Sequence, residues 1–423
     1  MIFNSTQENF IFFKIPVALF SLIPFFLITG PLLSDLSVSL ISILFLIYCK
    51  KKNNFSYFNR NYFYFFLAFW IYLIVNSLIN NFNLDSFKIS FFYFRYGVFV
   101  IAIVTFLNTD SKFIKYFFYC ILVCFAALIL DGIYQYFVGE NILGFKTPHH
   151  ARVSSFFNEE MILGGYLSRL WPIFFGLSIF FFKHKKKLFF LSILLFILSE
   201  TLIFLSGDRV AFFFINLSAF FVFLFSKKLL KLRLITLSLS ICLIIIISII
   251  NPTAKERVFN QTLKGMNLDD QQKRDQNGVY IFTKQHTHHY ITAYRMFLDN
   301  KILGVGVKNF RVFCKDKKYE ESWLSCSTHP HNTYIQILSE TGIIGFLFLM
   351  TVFIYFFTYA LKHLILRFKG KYYFNDFEIC ILSGIAIYVW PFVPTGNIFN
   401  NWLNIIMILN FPFLIWSRGL IKV

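Results

Sequence analysis

Apolar residues run along the chain in long stretches broken by short polar segments. A helix that spans a bilayer needs about 20 mostly apolar residues. By that rule the pattern predicts about twelve spanning helices, centred on 10–29, 31–49, 61–80, 89–107, 116–138, 161–182, 188–206, 210–226, 234–250, 335–360, 377–394 and 401–416. The first stretch does not read as a cleavable signal peptide, because no small-residue cleavage site follows it and the next apolar run begins at once. The expected fold is an all-α integral membrane protein of about twelve transmembrane helices, with a large loop carrying short helices. Three parts follow: a transmembrane bundle over 1–250, the loop over 251–333, and C-terminal spans with a tail over 334–423.

That loop exceeds any ordinary connector. Within it, 253–263 reads as a surface helix and 288–300 as a second helix, with Tyr290, Ala293, Tyr294 and Phe297 clustered. Gly304-Val305-Gly306 marks a tight turn. It is not a dinucleotide fingerprint: no strand precedes it, and Asn309 stands where the third glycine belongs. The polar run 267–278 reads as a mobile segment.

Composition agrees with the pattern. The 423 residues are 57% hydrophobic and only 14% charged, too few ionised groups to cover a soluble surface of this size. The net charge of +19 would fit a nucleic-acid binder, but the basic residues lie in short clusters between apolar runs. Lys50, Lys51, Lys52 and Arg60, then Lys112 and Lys115, then Lys183 and 185–187, then Lys227, Lys228, Lys231 and Arg233, then Lys362, Arg367, Lys369 and Lys371, then Arg418 and Lys422, all follow even-numbered spans. The positive-inside rule then places both termini in the cytoplasm and the large loop on the other side. No nucleic-acid partner is expected; the lipid bilayer is.

Of the seven cysteines, only Cys314 and Cys326 lie in the loop. Outside the cytoplasm a disulfide between them is favoured over two free thiols, and a zinc site is disfavoured because close ligand pairs are lacking.

The candidate chemistry is on the same side. His331, in His329-Pro330-His331-Asn332, is expected in the first turn of a helix at the water–membrane boundary, where it is a neutral base near pH 7. Arg209 lies between two apolar runs, where arginine needs a polar cavity or a partner; Asp208 is its local partner if the turn is merely salt-bridged. Arg295 is expected on the loop helix, Arg95 inside the fourth span, and Arg152 in the 139–160 loop as a weaker candidate. Guanidinium grips phosphate oxygens as a fork, and a neutral histidine accepts a hydroxyl proton. Together they suit transfer from a pyrophosphate-linked donor to a hydroxyl. His286, His288 and His289 are expected as a surface cluster rather than a metal site.

His329-Pro330-His331-Asn332-Thr333-Tyr334, the following Glu340-Thr341-Gly342-Ile343-Ile344-Gly345, Ser206-Gly207-Asp208-Arg209, and the run from Phe297 to Phe310 through Gly304-Val305-Gly306 together resemble the O-antigen ligase/polymerase family over roughly 150–416. The resemblance implies a multi-span helical bundle capped by a periplasmic loop in the bacterial inner membrane. It implies transfer of glycans from undecaprenyl pyrophosphate, by ligases to lipid A–core and by polymerases to a growing glycan. It assigns Arg209 and Arg295 to the donor pyrophosphate and His331 to the base, with Asn332 orienting it, and no metal or other cofactor. Arg95, Arg152 and His329 are further substrate-binding candidates. Two departures stand out: Gly207-Asp208-Arg209 replaces a plain Ser-Arg, and 264–278 is an insertion. A lipid-linked glycan flippase is the alternative of another class; it would need charges lining several spans and two related halves.

Overall fold

Long apolar runs satisfy their backbone groups within a single helix, the only open-chain solution in a bilayer. The computed structural model describes residues 6–80, 82–147, 152–182, 185–226, 230–250, 252–268 and 279–419. In chain order its main helices are α1 (Thr6–Thr29), α2 (Pro31–Lys51), α3 (Asn61–Ile79), α4 (Leu84–Thr109), α5 (Ser111–Val138), α6 (Leu163–Phe182), α7 (Lys186–Leu205), α8 (Arg209–Phe225), α9 (Leu230–Ile250), α10 (Lys284–Asp299), α11 (Thr333–Phe368), α12 (Asp376–Val389) and α13 (Asn401–Ser417). Among the described residues there is no strand.

Eight helices, α1 to α6, α9 and α11, are long and apolar enough to cross a membrane. Each of the other expected spans is also helical, but the apolar parts of α7, α8 and α13 are shorter, and α12 has only 14 residues. The chain is a multi-pass helical membrane protein. Outward-facing positions on α9 and α11, such as Ile235, Ile249, Leu347 and Ile354, are exposed and apolar, as a lipid-facing surface requires. Inside, α12 packs against both α6 and α8, and aromatic rings such as Phe20, Phe117 and Phe413 fill the core.

Two buried ion pairs tie helices together. Arg95 on α4 reaches Asp35 on α2 at 2.7 Å. Arg233, expected to be a loop charge, is instead 1% exposed; it pairs with Glu200 on α7 and lies over the Trp171 ring. The helix that carries it begins at Leu230, so Arg233 is inside the bundle and not in the connector. The neighbouring positions 183, 184, 227–229 and 420–423, and 269–278 of the polar run, lie outside the described residues.

The large loop is fastened to α11 by backbone. The Val305 N–H donates to Ser339 O and Gly306 N–H to Glu340 O, both at 2.9 Å, and Ile343 N–H donates to Lys301 O. Buried Glu340 accepts from Phe310 N–H and Gln336 Nε2. From α3, Asn76 Nδ2 donates to Leu303 O at 2.6 Å, Asn80 Nδ2 donates to Leu303 O and Gly304 O, and the Tyr72 hydroxyl donates to Thr341 O. Gly342 interrupts α11 with φ 64°, and a Cβ there would lie 2.2 Å from Ile302 O.

Gly342→Ala should therefore combine an unfavourable left-handed conformation with a backbone clash, and destabilise the protein by at least about 2 kcal/mol. Thermal unfolding in detergent should show a lowered Tm; an unchanged Tm would mean the clasp is not close-packed.

Candidate active site

The site is built where the 139–160 loop, the α7–α8 turn and the large loop meet. Asp208 caps α8, its carboxylate accepting from Val210 N–H at 3.1 Å and Ala211 N–H at 3.0 Å, as a short acidic side chain at a helix start does. Asp208 and Arg209 form no ion pair with each other among the described residues. Arg209, the first residue of α8, instead reaches the large loop: its Nη1 donates to Gln261 O at 3.3 Å and to Thr262 Oγ1 at 3.5 Å.

Two further arginines arrive at the same turn. Arg152 Nε donates to Ser206 O at 2.8 Å, and Arg257 Nε donates to Gly207 O at 3.3 Å. Gly207 has φ 62°, and a Cβ on it would sit 2.8 Å from Arg257 Cδ and 3.3 Å from Arg152 Cγ. Glycine is required because the two arginine stems lie across it. Arg257 belongs to the helical stretch 252–265, which covers the expected 253–263 helix and includes a π turn over Glu256–Asn260. Sequence reading passed over it because nothing in a charged surface helix marks which arginine will fold back.

The three half-buried guanidiniums have only uncharged hydrogen-bond acceptors among the described residues. Burial lowers the pKa of Arg152, and the nearby charges of Arg257 and Arg209 add to that against the opposing effect of Asp208. Like charges held together without a carboxylate partner form a site for a polyanion.

The histidine side of the site is equally close-packed. His331 precedes α11 rather than lying in its first turn: Asn332 is the cap, accepting from Tyr334 and Ile335 N–H. Asn332 Nδ2 donates to Pro391 O at 2.9 Å, so it anchors the turn and does not touch the His331 ring. His331 adopts φ 58°, a conformation that costs a non-glycine residue energy and is kept where surrounding contacts hold it. Those contacts come from the α12–α13 connector. Thr395 N–H donates to His331 O at 2.8 Å, and His329 Nε2 donates to Thr395 O at 3.1 Å. His329 Nδ1 bonds Thr328 Oγ1, which commits both nitrogens of that ring to protein. His331 Nε2 and Ser327 Oγ hydrogen-bond at 3.0 Å, while Nδ1 of His331 has no protein partner among the described residues.

The 286–289 histidines are not a surface cluster. The helix that carries them, expected from 288, begins at Lys284; its buried side faces α11 and brings these rings to His331. The His286 and His289 ring centroids each lie 5.3 Å from that of His331, and His329 lies 4.1 Å away. His289 is 1% exposed; its nitrogens make no well-formed hydrogen bond among the described residues, and the Leu324 backbone is its polar neighbour. Only His288 turns outward, to Ser322 Oγ at 2.8 Å. No group of three or more His, Cys, Asp or Glu among the described residues has a metal-holding arrangement.

Arg295 and Arg95 are elsewhere. Arg295 pairs with Glu321 and donates to Glu320 O, on the side of α10 shared with His288. Arg95 is occupied by Asp35, Phe92 O and the Tyr96 hydroxyl. Cys314 and Cys326 form a disulfide, with Cα atoms 5.1 Å apart, which closes the segment leading directly into Ser327. Of the histidines, His286 lies near enough to the arginine group for the charge of Arg209 to contribute to lowering its pKa.

Residues 193–350 match the family model described as O-antigen ligase. Over these residues the chain is similar to that family. The matched segment runs from within α7 into α11 and contains Arg209, Arg257, the α10 histidines, His331 and the Gly304–Gly342 clasp, but not Arg95 or Arg152. It is narrower than the 150–416 resemblance read from the motifs. No curated protein sequence matches the chain.

Burial, with the neighbouring groups adding to it, lowers the imidazole pKa values to about 4 in His286 and His289 and about 3 in His329. A histidine of the unfolded loop titrates near 6.5. The contribution of these neutral rings to stability is complete above pH 6.5 and lost as pH falls toward 4, because the unfolded loop binds protons first. Amide hydrogen exchange in α10, corrected for intrinsic rate, should show protection falling between about pH 7 and about pH 5. Unchanged protection would count against buried neutral rings.

Proposed function

We propose that the protein is a membrane glycosyltransferase of the O-antigen ligase type, moving a glycan from undecaprenyl pyrophosphate to a hydroxyl of lipid A–core. The observation that carries this reading is the meeting of Arg152, Arg209 and Arg257 at one turn, none paired with a carboxylate among the described residues, near a histidine cluster centred on His331 whose His286 feels the charge of Arg209. The arginines suit a pyrophosphate, and a partly buried neutral imidazole with one free nitrogen suits a base.

The reaction is a single displacement. His331 accepts the proton of the acceptor hydroxyl, and the oxygen attacks the anomeric carbon of the donor. The bond from that carbon to the pyrophosphate oxygen breaks, and its electron pair leaves with undecaprenyl pyrophosphate, whose growing charge the arginines stabilise. One displacement inverts the anomeric carbon; retention through a covalent intermediate would need a nucleophilic carboxylate, and Asp208 is engaged in capping α8. Arg295 takes part only if it leaves Glu321. Arg95 and His329 serve the site by holding the bundle and the His331 turn. Metal-independent chemistry follows from giving charge stabilisation to arginine.

The supporting frame is the expected topology: a bundle over 1–250, an outer loop over 251–333 and C-terminal spans over 334–423, with both termini cytoplasmic in the bacterial inner membrane and the site at the periplasmic face. Basic clusters between the helices support that orientation. A polymerase that extends the glycan instead would use the same groups. A flippase is less well supported, since Arg95 and Arg233 are spent on ion pairs between neighbouring helices rather than left to line a path.

Detergent-purified protein, an undecaprenyl-pyrophosphate-linked glycan and lipid A–core provide the test. Glycosylated lipid A–core is the expected product; lengthened lipid-linked chains would identify a polymerase, and no transfer would defeat the reading. Arg209→Ala and His331→Ala should each lower turnover by about 10²-fold or more. Burial lowers the His331 pKa. The base is therefore neutral further into acid than an ordinary histidine, and the acid limb of the wild-type pH–rate profile should lie below about pH 6.5.

A further inference from the structure

His286 stands between the two halves of the site, yet neither the sequence motifs nor the proposed mechanism uses it. Thr283 caps α10, and its Oγ1 accepts from His286 N–H at 3.2 Å. The same hydroxyl lies 2.8 Å from His286 Nδ1 and is assigned as the donor of that hydrogen bond. With Nδ1 accepting, the neutral ring carries its proton on Nε2. That nitrogen has no protein partner among the described residues. The ring is held in place from several sides: it stacks on Tyr290 at 6.3 Å, meets Phe282 and His289 edge-on, and crosses His331 at 82° and 5.3 Å.

We infer that His286 is a catalytic residue of the transfer, donating its Nε2–H to the glycosyl phosphate oxygen as the bond from that oxygen to the anomeric carbon breaks. The inference rests on the glycosyl-transfer reading above. The one proton transferred is the acceptor's, which His331 takes and keeps; the leaving oxygen takes the bonding electron pair, and His286 retains its own proton and stabilises that oxygen by a hydrogen bond. A neutral donor suits this place. The charged and titratable groups that face the ring are Arg209 from α8, His331 from the α11 turn and His289 from α10 itself, and an imidazolium at His286 would be repelled by the arginine. Burial, reinforced by those neighbours, keeps His286 uncharged down to about pH 4. The arginines then bind the donor before and after reaction, while His286 acts on the one oxygen whose charge rises most.

His286→Phe preserves a planar ring without the donor, and His286→Gln preserves an N–H at a similar reach without the ring. Turnover and donor KM are measured for both, using the undecaprenyl-pyrophosphate-linked glycan and lipid A–core, with Tm as the check on folding. The expected result is a fall in kcat of about 10²-fold for His286→Phe with donor KM little changed, and recovery to within about 10-fold of wild type in His286→Gln. His286→Leu serves the same comparison should the phenyl ring not fit. Full activity in His286→Phe, or equal loss in folded Phe and Gln variants, overturns the assignment. Absence of turnover in wild-type protein defeats the glycosyl-transfer reading and this assignment with it, whereas turnover in wild type and His286→Phe alike defeats the assignment alone.

Discussion

Everything at the site depends on a backbone-to-backbone contact that tolerates no side chain. Gly304 and Gly342 let the 301–306 segment lie directly on the break in α11, where main-chain hydrogen bonds replace side-chain packing. Buried Glu340 and three polar residues of α3 complete the clasp. A loop joined by long side chains would keep rotamer freedom, and α10 would roll against the bundle. Joined by backbone, it presents His286 and His289 to His331 at fixed separations. The motif residues that carry the resemblance are thus mostly the clasp itself, and only a few of them lie at the candidate site.

The second constraint is electrostatic. Three arginines converge on one turn while the nearest carboxylate, Asp208, is used to cap a helix. Elsewhere Arg95 is paired with Asp35 and Arg233 with Glu200, whereas buried Arg169 donates to Gly165 O and lies over the Phe214 ring. A cluster without a carboxylate partner among the described residues costs stability, which the charged ligand proposed above would offset. The neutral histidines beside the cluster follow from the same field, since burial and adjacent cations both disfavour an imidazolium.

Much of the architecture was legible from apolar periodicity, because a helix in lipid needs nothing but its own backbone and an apolar surface. Each predicted stretch is helical, and among the described residues eight have spanning length. Boundaries were least legible where polar residues begin a helix: α10 starts at Lys284 because Thr283 caps it, four residues before the apolar pattern shows. Arg209 and His331 stood out because their local motifs are unusual. Arg257, His286 and His289 did not, since each looks like an ordinary solvated residue of an amphipathic helix.

By itself the sequence determined the class of the protein, the helical segments, and the presence of arginine and histidine chemistry beside a large loop. These are properties of composition and local spacing. Only the tertiary structure decided which arginines meet. It draws Arg152 and Arg257 over Gly207, sends Arg295 to Glu321 and Arg95 to Asp35, and turns the α10 histidines inward. Such choices rest on the direction a helix face takes after a loop is fastened more than thirty residues away, and single-chain periodicity holds no information about that direction.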